Sequence, residues 1–255
     1  MSKSVIIVLA ALNILVGIAY ASRESRAPEI VAAPDALEHL LPSSNFSLGM
    51  SVQELEEVLA AHYPDWVRSE RMRAVNNRKD VSLAPAARSS YLQTIYIYLE
   101  DKHLRLYRRY TFVLTSPLSD SRVYSIVYVV QSSAEPLITI EDWKDGLRSR
   151  WDGAHGGKQT NDEARATYFF DANWQLVENG GEKCAPIYPT LFRLDEKPLE
   201  IVVDASDLVD STSCARSRDS RVAMTNGAIA KSTFYTVDHR RSVDDIAKRV
   251  VFGVR

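Results

Sequence analysis

Five histidines, two cysteines and a stretch dense in tyrosine and arginine are the residues of this 255-residue chain that could do chemistry. The histidines are His39, His62, His103, His155 and His239. No two of them stand at the spacing that brings imidazoles onto one metal ion. A single histidine can still act as a general base when a carboxylate orients it. His239 follows Asp238 directly, so that pair is the first candidate for acid–base work. Adjacent residues in a strand point to opposite faces, however, and this weakens them as a dyad. His62, near an expected helix end, would favour the helix dipole if protonated. Glu54, Glu56 and Glu57 sit at a helix start, where carboxylates suit the dipole without any catalytic role. Gly153-Ala154-His155-Gly156-Gly157-Lys158-Gln159 is close to a phosphate loop. Its first glycine is misplaced, Gln159 stands where Ser or Thr is required, and it follows a helix instead of a strand. It reads as a helix-ending turn. There is no G-x-S-x-G elbow, no H-E-x-x-H helix and no G-x-G-x-x-G after a strand. The sequence therefore assigns no catalytic, cofactor-binding or metal-ligating residue.

The cysteines are Cys184 and Cys214. They lack the close C-x-x-C spacing of redox pairs, and zinc would need further ligands clustered nearby. A structural disulfide is expected, given the exported setting described below. The tyrosines Tyr91, Tyr96, Tyr98, Tyr107, Tyr110, Tyr124 and Tyr128 accompany Arg105, Arg108 and Arg109. Tyr and Arg dominate interface hot spots, and an antiparallel sheet with one open face would display them in rows. Tyr96, Tyr98, Tyr107, Arg108, Tyr110, Tyr124 and Tyr128 form the candidate partner surface. The plainer reading is that tyrosine suits half-buried strands. Arg68, Arg71, Arg73, Arg78 and Lys79, offset by Glu70 and Asp80, read as a solvated basic loop that could meet an acidic partner or an anionic membrane.

These residues need elements to hold them. Residues 1–21 have the layout of a signal peptide: Lys3 near the start, an apolar run from Val5 to Ile18, then Ala19-Tyr20-Ala21 before Ser22. The alternative is an uncleaved inner-membrane anchor through residues 5–21. Residues 22–45 read as an Ala/Pro-rich linker. Ser51-Val52-Gln53-Glu54 is a capping box, with Met50 and Leu55 as its hydrophobic staple. Thr139-Ile140-Glu141-Asp142 is a related box, and Ser242-Val243-Asp244-Asp245 a third. Strands are expected over Tyr91–Leu99, Leu104–Thr115, Arg122–Gln131, Thr167–Phe170, Trp174–Val177, Leu199–Val203 and Ile229–Val237. Their short connections favour an antiparallel meander over βαβ units. The expected class is α+β, with helices packed on antiparallel sheet and one disulfide. The finer expectation is two tandem helix-then-meander modules, 46–133 and 137–255.

Phe46-Ser47-Leu48-Gly49-Met50-Ser51-Val52-Gln53-Glu54-Leu55 resembles the helix start of small exported bacterial proteins. It is similar to the BamE/SmpA outer-membrane assembly lipoproteins and to modules like the β-lactamase inhibitory protein. The resemblance implies helices laid on antiparallel sheet, as a tandem repeat in the second case, and a non-enzymatic, partner-binding envelope protein. The chain has no lipidation cysteine after its apolar run and is longer than one module, and no functional residues carry over. The formal net charge of -2 argues against a nucleic-acid partner. The expectation is a periplasmic binding module without cofactor, whose partner is another envelope protein and which meets membrane only if the leader is uncleaved. The alternatives are an exported hydrolase using His239 or His155, and a membrane-anchored structural component.

Overall fold

Ser51 sets the first element. Its hydroxyl accepts from the Glu54 amide at 3.2 Å, and the Glu54 carboxylate accepts from the Ser51 amide at 2.7 Å. Two of the donors that every helix leaves orphaned are thereby satisfied. Helix α1 (Val52–His62) follows, burying Leu55 and Leu59, and ends where the Tyr63 amide turns back to the Leu59 carbonyl. Its burial places the α1 stripe on a sheet that the next residues build.

This computed structural model describes residues 41–74, 90–102, 105–132, 139–150, 157–159, 163–178, 184, 214–225 and 228–252. The expected leader, residues 22–40 of the linker, Arg78, Lys79, His39, His103, His155 and the Leu199–Val203 strand lie outside the described residues. After α1 come β1 (Val67–Ala74), β2 (Ser90–Asp101), β3 (Leu106–Leu114) and β4 (Val123–Ser132). Helix α2 (Ile140–Arg150) follows, then β5 (Gly157–Gln159), β6 (Glu163–Phe170), β7 (Arg216–Thr225), β8 (Ala228–Asp238) and helix α3 (His239–Phe252). The eight strands form one sheet in the order β1-β2-β3-β4-β8-β7-β6-β5. Every pairing is antiparallel, including the central one, where Val127 faces Tyr235 and Tyr128 faces Phe234. The class is mixed α+β.

The two sheet faces have separate cores. On the first, Leu41, Phe46, Leu55 and Leu59 pack on Ile95, Ile97, Tyr110, Phe112, Ile126 and Tyr128. Trp143 of α2 belongs to the same cluster, with Ala164, Ala166 and Tyr168 of β6. Each fully buried Leu, Ile or Phe here contributes about 2–3 kcal/mol. On the second face, Val127, Val129, Phe169, Tyr235 and Val237 gather around Cys184 and Cys214, with Val243 of α3 against them. The two cysteines are bonded, with Cα atoms 5.8 Å apart.

Several elements depart from the sequence reading. The expected basic loop is in part a strand: Val67–Ala74 forms β1, with Arg68 opposite Ile97 and Arg71 opposite Thr94. It is an edge strand with exposed side chains, so its sequence carries no apolar alternation. Arg68 faces α1 and holds Glu56 and Glu70. Trp174–Val177, expected as a strand, is a turn. The Asp171 carboxylate accepts from the Asn173 and Gln175 amides, and Trp174 takes a left-handed φ of 64°. Leu176 bridges back to Phe170, and the Val177 amide donates to the Phe169 carbonyl at 2.9 Å. Strand β7 was not expected, because it reads Arg-Ser-Arg-Asp-Ser-Arg before its first apolar residue. Its polar residues Ser217, Asp219 and Ser220 are nevertheless buried. Helix α3 begins at His239, ahead of the expected Ser242 box, because Asp238 caps it by accepting from the Arg241 amide at 2.9 Å. Leu41 to Asn45, expected as linker, lie against the sheet: Leu41 is in the core, and the Ser43 amide donates to the Tyr110 hydroxyl at 2.7 Å.

Candidate functional site

The segment from Leu41 to Leu48, the end of α1 and the first sheet face enclose a cleft of about 900 Å³. Its floor is set by strand register. Tyr110 on β3 stands opposite Tyr128 on β4, with ring centroids 4.3 Å apart. Ile126 and Thr236 form the next row. Phe46 packs over this floor, 4.8 Å from Tyr110 and 5.0 Å from Tyr63. Trp66, just beyond α1, meets Tyr63 edge-on at 5.2 Å. Tilted and edge contacts of this kind add about 0.5–1.5 kcal/mol per pair beyond burial.

Two arginines mark the ends. The Arg108 guanidinium lies 5.4 Å from the Trp66 ring centroid. Arg218, on β7, lies 4.8 Å from the ring of Trp174 and 5.4 Å from that of Phe170. Trp174 reaches this place because the Asp171 turn carries it there, and Arg216 stacks on the same indole at 4.8 Å. Burial pushes the Arg218 guanidinium below its ordinary value and the Tyr110 and Tyr128 hydroxyls above theirs. The described residues lining the cleft include no aspartate, glutamate, lysine, histidine or cysteine.

The expected partner surface divides between the faces. Arg108, Tyr110 and Tyr128 line the cleft. Tyr110 and Tyr128 are 3% exposed, so they act as floor and not as an open row. Register puts Tyr96 opposite Thr111 and Tyr98 opposite Arg109, on the other face from Ile95, Ile97 and Tyr110. There Tyr98 and Tyr107 have rings 6.1 Å apart, and Tyr96, Tyr98 and Tyr107 are half-buried. Tyr124 stands apart, near Arg249, Asp245 and Tyr91, with its hydroxyl pushed up to about 12 by burial. Sequence reasoning missed Tyr63, Trp66, Trp174 and Arg218. The aromatic pair in Tyr63-Pro64-Asp65-Trp66, just past a helix end, was the available sign for the first two. Nothing local marked Arg218.

His239 does not pair with Asp238. Its Nε2 lies 2.8 Å from the Ser217 hydroxyl, and Asp238 instead caps α3 and faces Arg216 and Arg241. A serine beside an imidazole is half of a nucleophile–base–orienter set. Here both groups are buried, and burial pushes the imidazole down to about 3, which leaves it neutral. Neither lines the cleft. Asp219, fully buried on β7, accepts from Arg165 Nε at 2.9 Å and from Thr167 at 3.1 Å, with Arg221 3.5 Å away. Burial raises its carboxyl, with Arg165 and Arg221 working against the rise. Among the described residues no group of three or more His, Cys, Asp or Glu could hold a metal ion, and no helix is long and apolar enough to cross a membrane.

No family model, curated protein or solved structure matches this chain. The cleft's described lining is aromatic and polar. It offers aromatic faces, two guanidinium groups and the hydroxyls of Ser43, Ser44, Ser47 and Thr236. Aromatic anchors with placed cations are the side chains that carry interface energy.

Proposed function

We propose that this chain is an exported, non-enzymatic binding module that holds a segment of another envelope protein in the cleft between α1 and the sheet. The observation that carries the reading is the meeting of Arg108, Tyr110 and Tyr128 with Trp66 and Trp174 around one concave site. Concave, mostly apolar sites with a few convergent polar groups are the usual binding places of a fold. Export is supported by the leader-like residues 1–21, and the Cys184–Cys214 bridge is at home in an oxidising compartment. If those residues stay attached, the same module works from the inner membrane, anchored through residues 5–21. The binding unit is built as two modules, 46–133 and 137–255. In support, α1 and α2 each precede four antiparallel strands in chain order.

Site-specific photocrosslinking in the full chain tests the binding surface. A photoreactive residue at Trp66 or Trp174 is expected to capture a discrete envelope protein, and one at Tyr96 or Tyr98 is not. Capture only from Tyr96 and Tyr98 would move the site to the other face. No capture from any of the four would remove the binding reading.

A further inference from the structure

Strand β1 is an edge of the sheet, and its residues 67–72 are all exposed. Val67 and Met72, at 50% and 52%, are the two most exposed large hydrophobic side chains among the described residues. Such a strand presents backbone donors and acceptors to a further strand, and charge along an edge normally discourages that pairing. On β1 the charges instead discriminate between registers. The irregularity at Arg71–Met72 puts its extra residue, Gln93, in β2, so the faces of β1 alternate without a break. Arg68, Glu70 and Met72 lie on the α1 side, and Val67, Ser69 and Arg71 on the other. Arg68 already holds Glu56 and Glu70. Those bonds use its two terminal nitrogens and one of the two Glu70 carboxylate oxygens, and the pair stays 36% and 44% exposed. A guanidinium has further N–H donors, and a carboxylate accepts at both oxygens.

We infer that β1 pairs antiparallel with β1 of a second copy of this chain, centred on Ser69. A two-fold axis normal to the sheet generates the pairing and keeps each face continuous, so residues directly opposite share a face. The registers that pair five or more residues of the strand centre on Ser69, Glu70, Arg71 or Met72. Centring on Glu70 or Arg71 sets that charge against its own copy, and centring on Met72 sets Arg71 against Arg73 twice, all of them unfavourable. Centring on Ser69 sets Arg68 against Glu70 in both directions. The two existing ion pairs then meet head to tail as an alternating group of four, with neither pair broken. The same register lays Val67 on the stem of Arg71 and, one residue beyond the strand, Met72 against Trp66. Both exposed apolar side chains are covered. Trp66 lines the cleft, so Met72 of the second copy extends the cleft's rim. The inference stands on the strand edge and does not depend on what the cleft binds.

The test uses the full chain in mild detergent, since Val5 to Ile18 is apolar. Cys184 and Cys214 are bonded to each other, so one added cysteine supplies the single free thiol. In the Ser69 register that residue meets its own copy with Cα atoms about 5 Å apart, within disulfide reach. Positions 67 and 71 stand about 14 Å from their own copies, four residues along the strand. The chain is held at about 50 µM, because so small an interface binds weakly. Mild oxidation should crosslink S69C about tenfold faster than V67C or R71C alone, and a mixture of V67C and R71C should crosslink as the mixed pair. Adding E70R or R68E to S69C creates like-charged pairs and should slow its crosslink about tenfold. Mixing the two charge variants should restore the rate, because each then supplies the charge that the other lacks. Circular dichroism reports whether each variant is folded, and the cysteine comparison carries the test alone if R68E, beside Glu56, is not. Equal rates at 67, 69 and 71, or no crosslink at any of them, overturns the inference. So does R71C alone outpacing S69C, which would assign another register, and so do folded charge variants that fail to slow S69C or to rescue each other.

Discussion

Lowering the pH from 7 to 5 should cost this fold about 2 kcal/mol through one side chain, His239. Burial holds its imidazole at about 3 in the native chain, against an ordinary 6.5 when unfolded. The folded value is depressed, so the unfolded chain takes up the proton first. Stability is therefore complete above 6.5, declines as pH falls towards 3 and levels off below that. The full difference between the two values corresponds to about 5 kcal/mol. At pH 5 the native imidazole is still neutral, so the loss there is set by the unfolded side chain alone, about 2 kcal/mol more than at pH 7. His239→Gln is the matching perturbation. Its amide can meet the Ser217 hydroxyl that now lies 2.8 Å from Nε2, and it does not titrate. Urea unfolding at pH 7 and pH 5, for the native chain and the variant, reads the effect as a difference of differences. Groups such as Asp219, whose raised carboxyl gives the opposite slope, cancel in that comparison. If the variant loses as much stability between pH 7 and pH 5 as the native chain, the imidazole is not the buried neutral group described here and the reasoning fails.

Three further perturbations follow from the fold. Replacing Cys184 and Cys214 by serine removes a bridge between residues 30 apart, and should lower stability by about 4 kcal/mol in urea melts, the chain-entropy value. Ser51→Ala removes the hydroxyl that accepts from the Glu54 amide and should cost about 1 kcal/mol by the same assay, with Ser51→Thr close to neutral. Asp245 accepts from the Ser116 amide at 3.0 Å and faces Arg249 at 3.0 Å, pinning α3 to the turn after β3. Asp245→Ala should cost about 2 kcal/mol and speed amide hydrogen exchange in α3 first, since it leaves the buried Ser116 amide without its acceptor and removes the half-buried pair with Arg249.

What the sequence made legible was local. Ser51 and Glu54 announce their helix because both halves of the capping box lie within one turn. Strands β2, β3 and β4 show as runs rich in Tyr, Ile and Val because one face is buried and the other is at least half-covered over most of their length. Strand β1 was hidden because an edge strand can satisfy itself with charge on both faces, as Arg68 does with Glu56. Strand β7 was hidden because its buried residues are polar and are matched across the sheet: Asp219 meets Arg165 and Thr167 of β6, and Ser217 meets His239. The cleft was only half visible. Tyr110 and Tyr128 could be found by their spacing, but Trp66 and Trp174 share a site through the pairing of β4 with β8, a contact that no local pattern encodes.

That central pairing also has a temporal meaning. Strand β4 is synthesised well before its partner β8, so Val127 waits for Tyr235. Until then the chain carries Ser125-Ile126-Val127-Tyr128-Val129-Val130-Gln131 as an unpaired apolar edge, the kind of segment that recruits a neighbouring molecule. Closing so long a loop is slow. The nascent chain therefore gains from staying extended until β8 is available.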